Sequence, residues 1–235
     1  MKHSEKGTTW AFISARGGYS DTDLLVALYP EGTKKTEFLA EYAKHYAAVE
    51  INSSFYAPIG KKAFDGMLAK SEGRLKFAIK LHQDFSHRLT ATAESAAAFL
   101  QAITPILAAD CLASLLIQFP HGFDRTLAHR QYLANLVSWF AGLPIAIEFR
   151  HESWHIAQVY ASFSQQGLSW CSVDYPDIAG LPPSRLIFTN RTGYLRLHGK
   201  NVNWWDAHSA AERHDYRYND TEMQAWAQTI ANQKN

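Results

Sequence analysis

The stretch Leu112-Ala113-Ser114-Leu115-Leu116-Ile117-Gln118-Phe119 decides the fold. It is an almost unbroken apolar run, and Pro120 and Gly122 close it. A strand with one wet face alternates apolar and polar residues, whereas a strand covered on both faces reads like this one. A second such run, Ile145-Ala146-Ile147-Glu148-Phe149, follows one amphipathic stretch later. Working outward, strand candidates also fall at Trp10–Ala15, Ala48–Phe55, Leu75–His82, Ser169–Tyr175 and Gly193–Gly199, with the first two extending over Cys111–Phe119 and Pro144–Arg150. Helix candidates lie between most of them, at Lys34–Tyr46, Lys61–Lys70, Ala93–Leu107, Thr126–Phe140, Ser153–Gln166 and Thr221–Ala231. Strand alternating with helix means βα units around a parallel sheet. The expected fold is α/β, a TIM-type (βα) barrel with seven recognisable strands.

Bulk properties agree with one domain over residues 1–235, since 235 residues is barrel size. Hydrophobic residues make up 47% and aromatics 13%, which supports a large core and argues against disorder. The formal net charge is +1, from 23 basic and 22 acidic residues, so no global field draws the chain to nucleic acid or membrane. The apolar stretch Trp10–Ala15 is too short for a signal-peptide core, and no run reaches the roughly 20 apolar residues of a membrane span. Cys111 and Cys171 lie far apart in apolar segments, without a C-x-x-C, and read as buried reduced thiols. A cytoplasmic protein is expected.

The informative residues close the strands. Candidate strands end in Glu50-Ile51-Asn52, Lys80-Leu81-His82, Gln118, Glu148 with Arg150, Asp174, and Arg196 with His198. In a (βα) barrel these ends converge on one rim, where active sites are built, and an open doubly wound sheet would form a similar pocket at its switch point. Lys80, Arg150 and Arg196 suit a phosphate or carboxylate. Glu148, Asp174 and Glu50 are candidate acids or bases if burial or a like charge raises one pKa, and His82 and His198 could move protons or bind metal. Asn52, Gln118, Glu50, His82 and Tyr218 complete the expected substrate-binding set around the catalytic trio Glu148, Asp174 and His198. Any one of these could instead merely cap its strand; the case rests on the set.

Other motifs carry less. His151-Glu152-Ser153-Trp154-His155 matches the zinc-protease H-E-x-x-H, but it follows a strand at once, and Ser153 is the better helix N-cap, which puts the two histidines out of step. There is no P-loop, G-x-G-x-x-G or G-x-S-x-G. A divalent metal on His82, Glu148, Asp174 and His198 is conceivable, but the neighbouring Lys80, Arg150 and Arg196 oppose it, so no cofactor is expected. Trp204-Trp205 lies in a loop with Asn201, Asn203 and His208, and reads better as an aromatic anchor than as a stacking lid.

Taken together, Val49-Glu50-Ile51-Asn52-Ser53-Ser54-Phe55-Tyr56, Phe77-Ala78-Ile79-Lys80, Ser86-His87, Gln118-Phe119-Pro120, Glu148-Phe149-Arg150-His151-Glu152-Ser153-Trp154, Arg196-Leu197-His198-Gly199 and Asp215-Tyr216-Arg217-Tyr218 resemble the YecE-like family, domain of unknown function 72. The resemblance runs from about Tyr29 to Ile230 and implies a TIM barrel, but no established activity. Ile13-Ser14-Ala15-Arg16-Gly17-Gly18-Tyr19 departs from the family's Gly-Thr-Ser-Gly-aromatic turn, and a final strand that the family carries is not found, so a barrel that is incomplete or closed by a partner copy is expected.

Two functions follow as expectations. One is an enzyme, a hydrolase or lyase acting on a small anionic, phosphorylated substrate, with a nucleic-acid backbone or metal-assisted nuclease chemistry as variants. The other is a non-catalytic barrel that binds an anionic ligand or a protein.

Overall fold

The computed structural model describes residues 13–20, 24 and 27–232. Six parallel strands form one sheet in the order β1 (Ala48–Ile51), β2 (Lys76–Lys80), β3 (Leu112–Phe119), β4 (Ile145–Phe149), β5 (Ser169–Asp174) and β6 (Tyr194–Leu197). Each strand neighbours its successor, so among the described residues there is no order reversal and no doubly wound switch point. Six strands are found among the described residues, where seven were expected. Of the remaining candidate, Trp10 to Phe12 lie outside the described residues, and Ile13 to Ala15 form no strand. The backbone after them still joins the sheet's side: Glu50 N donates to Arg16 O at 3.1 Å.

The sheet is curled. In a flat sheet with about 4.8 Å between strands, β1 and β6 would lie roughly 24 Å apart. Instead Tyr194 Oη and Arg196 on β6 bond directly to the Glu50 carboxylate on β1. The curl leaves two buried faces, and side-chain parity sorts the residues between them. Val49, Ile51, Phe77, Ile79, Leu115, Ile117, Ile145, Ile147, Phe149 and Trp170 pack into the larger cluster, which the helices cover. Leu116, Ala146, Cys171, Val173 and Tyr175 occupy the concave face with Trp204. Both cysteines are free and buried.

Three helices depart from expectation. Lys34–Tyr46 is helical only over Phe38–Tyr42, its entry being a turn in which the Glu37 carboxylate accepts from Lys34 N at 3.1 Å. Ala93–Leu107 breaks into Ala93–Ala102 and Thr104–Ala108, because Pro105 lacks an N–H and disfavours helical backbone before it. Ser153 caps no α-helix: Glu152–Trp154 is a 3₁₀ turn capped by His151, and the α-helix spans Ala157–Gln166, followed by a C-cap at Gly167, whose φ of 68° suits glycine. Among the described residues no helix is long and apolar enough to cross a membrane.

A ladder of rings fixes the helix-covered side of β3 and β4. Phe119 stacks on Phe123 at 3.8 Å, Phe149 on Trp154 at 4.3 Å, and Trp154 Nε1 donates to Phe123 O at 2.7 Å. Phe149 is central, in contact with Phe119, Trp154, Phe163 and Trp170. Phe149→Ala is expected to cost about 3–5 kcal/mol of unfolding free energy, checked by urea denaturation. A loss below about 1 kcal/mol would mean that the ladder does not hold the sheet.

Candidate functional site

Period-two alternation aims one set of strand-end residues into the curl: Glu50 from β1, Lys80 from β2, Gln118 from β3, Glu148 from β4, and Tyr194, Arg196 and then His198 from β6. Arg196 is their centre. Its Nη2 and Nε hold the two oxygens of Glu50 at 2.7 and 3.1 Å, and its Nη1 donates to Glu148 Oε2 at 2.5 Å. Tyr194 Oη donates to Glu50 at 2.7 Å and Tyr175 Oη to Glu148 at 3.0 Å, while Arg150 Nε reaches Glu148 Oε1 at 3.4 Å. Every carboxylate oxygen in this group is therefore held by at least one donor.

The electrostatics follow from that packing. Burial pushes the Glu148 carboxyl up, but the Arg196 charge, with His198 and Arg150, outweighs it and holds it well below the carboxylate range. Burial likewise opposes Glu50, and Arg196 with the Tyr194 hydroxyl holds it low. Both are carboxylates rather than acids at neutral pH. Burial, reinforced by the nearby carboxylates, drives Tyr175 and Tyr194 well up, so both stay hydroxyl donors. His198 is pushed down to about 4, by burial first and the Arg196 charge second. His198 Nε2 lies between a donor and an acceptor, 3.1 Å from Arg196 Nη1 and 3.4 Å from Glu148 Oε1.

Lys80 stands apart from this saturated pair. Its Nζ donates to Gln118 Oε1 at 2.8 Å and lies 4.2 Å over the Phe55 ring. Burial, then the Arg196 charge, lowers it to about 8. Asn52 Nδ2 donates to Gly17 O at 2.6 Å, which joins the altered first turn to the rim; a Cβ on Gly17 would lie 3.1 Å from that nitrogen. Asn52 Oδ1 is buried without a partner among the described residues.

Three expected site residues do not join the cluster. Asp174 pairs in register with Leu197 rather than Arg196, so it faces away from the concave side, and Trp226 Nε1 holds it at 3.1 Å with Lys200 at 3.8 Å. Parity, which sends Tyr175 inward, sends its predecessor outward. Tyr218 belongs to that outer group, its hydroxyl accepting from Gly199 N at 2.9 Å. His82 turns back to cap the helix Gln83–Ser86, its Nδ1 accepting from Asp84 N at 3.3 Å. The metal quartet His82, Glu148, Asp174 and His198 is thus dispersed, and among the described residues no three His, Cys, Asp or Glu side chains converge as metal ligands. Nor do His151 and His155 act together, since His151 caps the 3₁₀ turn and His155 accepts or donates at Tyr160 Oη.

Two residues that the sequence reading passed over clamp the carboxylates, Tyr175 and Tyr194. Counting back by two from His198 to Arg196 and Tyr194 would have found the second. Trp204 is buried beneath Arg150 and Arg213, an anchor as expected, while Trp205 remains exposed beside His121.

A parallel barrel-like sheet with an interior ion cluster at the carboxyl ends of its strands defines the class. Within that class the chain belongs to the family described as protein of unknown function DUF72, which it matches over residues 15–235. It is 29% identical to the UPF0759 protein YunF of Bacillus subtilis, over 89% of this chain and 79% of that one. Among solved structures, a DUF72 family protein of Thermotoga maritima is similar with a TM-score of 0.83 and 29% identity, covering 92% of this chain and 85% of the other. A DUF72 family protein of Enterococcus faecalis gives 0.82 and 26% identity, over 93% of this chain and 82% of that chain.

The buried cluster makes the fold acid-sensitive. His198, at about 4 in the folded chain, titrates near 6.5 when unfolded, so the unfolded state takes up the proton first as pH falls. Its share of stability is intact above about 6.5 and is lost as pH falls toward 4, roughly 3 kcal/mol in all. Glu50 and Glu148, held low, lose theirs in the same direction at still lower pH. His198→Asn keeps an acceptor for Arg196 and should flatten the decline between about pH 6.5 and 4.5. Unfolding free energies measured across that window check this, and equal slopes would show that His198 is not buried neutral.

Proposed function

We propose that this chain is an incomplete TIM-type barrel that binds a small anionic, phosphorylated substrate at its strand-end rim and acts on it as a hydrolase or lyase. One observation carries the reading, the surplus of cations over carboxylates. Among the described residues Lys80, Arg150 and Arg196 face two carboxylates, Glu50 and Glu148, and Arg196 is consumed by both of these. Among the described residues Arg150 makes one long ion pair, through Nε at 3.4 Å, and lies over the Trp204 ring, which leaves its two terminal nitrogens for a ligand. A guanidinium edge of this kind suits two oxygens of a phosphate or carboxylate. The neutral imidazole of His198 adds no positive charge, so the surplus belongs to Arg150 and Lys80.

In this reading Arg150 anchors the anion and Arg196 is the rigid backing that sets the field. Glu148 serves as an ionised acceptor beside the substrate, and His198 as a neutral group that can take a proton. Asp174 and His82 have no part in it, for the geometric reasons given above. Near-zero net charge supports a small ligand over a polyanion.

Calorimetric titration with inorganic phosphate and with simple phosphate esters tests the reading. Arg150→Ala is expected to weaken binding by about ten- to a hundredfold, the usual loss of a charge-assisted contact. Absence of phosphate binding by the wild-type protein would overturn it. Ester binding that persists without turnover, and survives Glu148→Gln, would instead favour a non-catalytic ligand-binding barrel.

A further inference from the structure

Lys80 is the one cation of the rim cluster that no carboxylate pairs with among the described residues. Its hydrogen-bond partner, Gln118, is buried, and the Gln118 Nε2 donates to Phe119 O at 3.3 Å, so Oε1 is turned toward the amine. A neutral acceptor positions an ammonium group without stabilising its charge as a carboxylate would. The Phe55 ring backs the same nitrogen at 4.2 Å and shields it from water on that side. Two guanidinium groups, on Arg196 and Arg150, add their repulsion. Glu148, Glu50 and the Phe55 face favour the ammonium form, but burial and the two guanidinium groups outweigh them, and the hydrogen bond to Gln118 holds the nitrogen still. Its pKa near 8 leaves about a tenth of the amine neutral at pH 7. Surface pairs such as Lys44 with Glu41 and Lys61 with Asp65 have the opposite environment, an ion pair in open solvent.

We propose that Lys80 Nζ is a nucleophile that condenses with the carbonyl carbon of an anionic aldehyde or ketone to form a Schiff base. The proposal rests on the anion-binding reading above, with Arg150 holding the anionic end of the substrate, and it selects the lyase branch of that reading. In the step itself, the nitrogen lone pair forms the N–C bond as the carbonyl π pair moves to oxygen. A proton passes from nitrogen to that oxygen, giving the carbinolamine. The hydroxyl then takes one further proton and leaves as water, so that amine, carbonyl and one proton yield a protonated imine and water. Nothing is oxidised or reduced. The iminium so formed draws electrons from a neighbouring C–C or C–H bond, which is how a buried lysine breaks carbon bonds without a cofactor. An unprotonated imidazole stands on the same ring: His87 meets Phe55 edge-on at 4.8 Å, with Ser86 Oγ at 2.9 Å from its Nδ1.

The test is reductive trapping on the intact chain. Protein is incubated with dihydroxyacetone phosphate or with uncharged dihydroxyacetone, reduced with cyanoborohydride and mapped by peptide mass spectrometry. Phosphate binding is measured in parallel by calorimetry. The expected result is an adduct at Lys80 at least about tenfold above that at Lys44 or Lys61 with the phosphorylated ketone, and its loss in Lys80→Arg. Labelling that follows exposure and spares Lys80 overturns the proposal; if phosphate still binds, the anion site stands without the nucleophile. Preferential labelling of Lys80 by both ketones, with no phosphate binding, keeps the nucleophile and removes the anion site. Should Lys80→Arg fail to fold, competitive acetylation of the wild-type protein against pH decides: a midpoint near 8 at Lys80 supports the proposal, and the ~10.4 of an exposed lysine overturns it.

Discussion

The structure depends on one guanidinium. Arg196 sits between Glu50 and Glu148, and the three residues belong to β6, β1 and β4. Glu148 is fully buried and Glu50 nearly so. An ion taken from water into such a place carries a penalty of several kcal/mol, which only close pairing and full hydrogen bonding offset. The pairing can form only if β1 and β6 approach one another, and that approach is the curl of the sheet. Curl and ion cluster therefore require each other. The curl also buries the apolar concave cluster around Leu116, Val173 and Trp204, so hydrophobic burial and the buried charges act together. Tyr194 and Tyr175 complete the arrangement by donating to the same carboxylates, which leaves no oxygen of Glu50 or Glu148 unpaired.

The same saturation divides the rim chemically. Carboxylates bound by arginine and tyrosine are poor acids, because their protonated form would forfeit those bonds. The familiar scheme of one raised and one lowered carboxyl is thus absent from the inner cluster, where both are lowered. Reactivity moves instead to the groups that the pairing leaves over: the terminal nitrogens of Arg150, the amine of Lys80 and the neutral ring of His198. A rigid, fully paired core with unpaired cations at its edge is the arrangement in which a field acts on a ligand without reorganising to meet it.

Much of this was legible in the sequence, and the illegible part has a common cause. Unbroken apolar runs such as Leu112–Phe119 announce a sheet buried on both faces, and all six described strands fall inside their expected segments. The rim residues Glu50, Lys80, Gln118, Glu148, Arg150, Arg196 and His198 were visible because each closes an apolar run. Proximity to a strand end does not, however, specify a face. Asp174 closes its strand as Glu148 does, yet one step of parity sends it to Trp226 and Lys200 on the far side. His82 lies two residues beyond the end of its strand, and a local N-cap captured it. Helix boundaries failed for similar local reasons, as at Pro105, where a missing N–H overrides a continuous amphipathic pattern. Patterns with a long period are read well from one sequence, and single-residue competitions between local and tertiary partners are not.

The partnering of the cations also bears on why the rim mixes lysine and arginine. Arginine keeps its charge in almost any environment, so it suits the two positions that must remain positive, one inside the carboxylate pair and one at its edge. Lysine is the cation whose charge the surroundings can remove. At position 80 those surroundings are an amide oxygen, an aromatic face and two permanent positive charges, with every nearby carboxylate already engaged by Arg196. An arginine there would be a third fixed charge facing its own kind. A lysine can relieve the repulsion by giving up a proton, and the group left behind is an amine with a free electron pair, held at the mouth of an anion-attracting cluster. The same electrostatic conflict that would make position 80 costly for a permanent cation is what makes its lysine reactive.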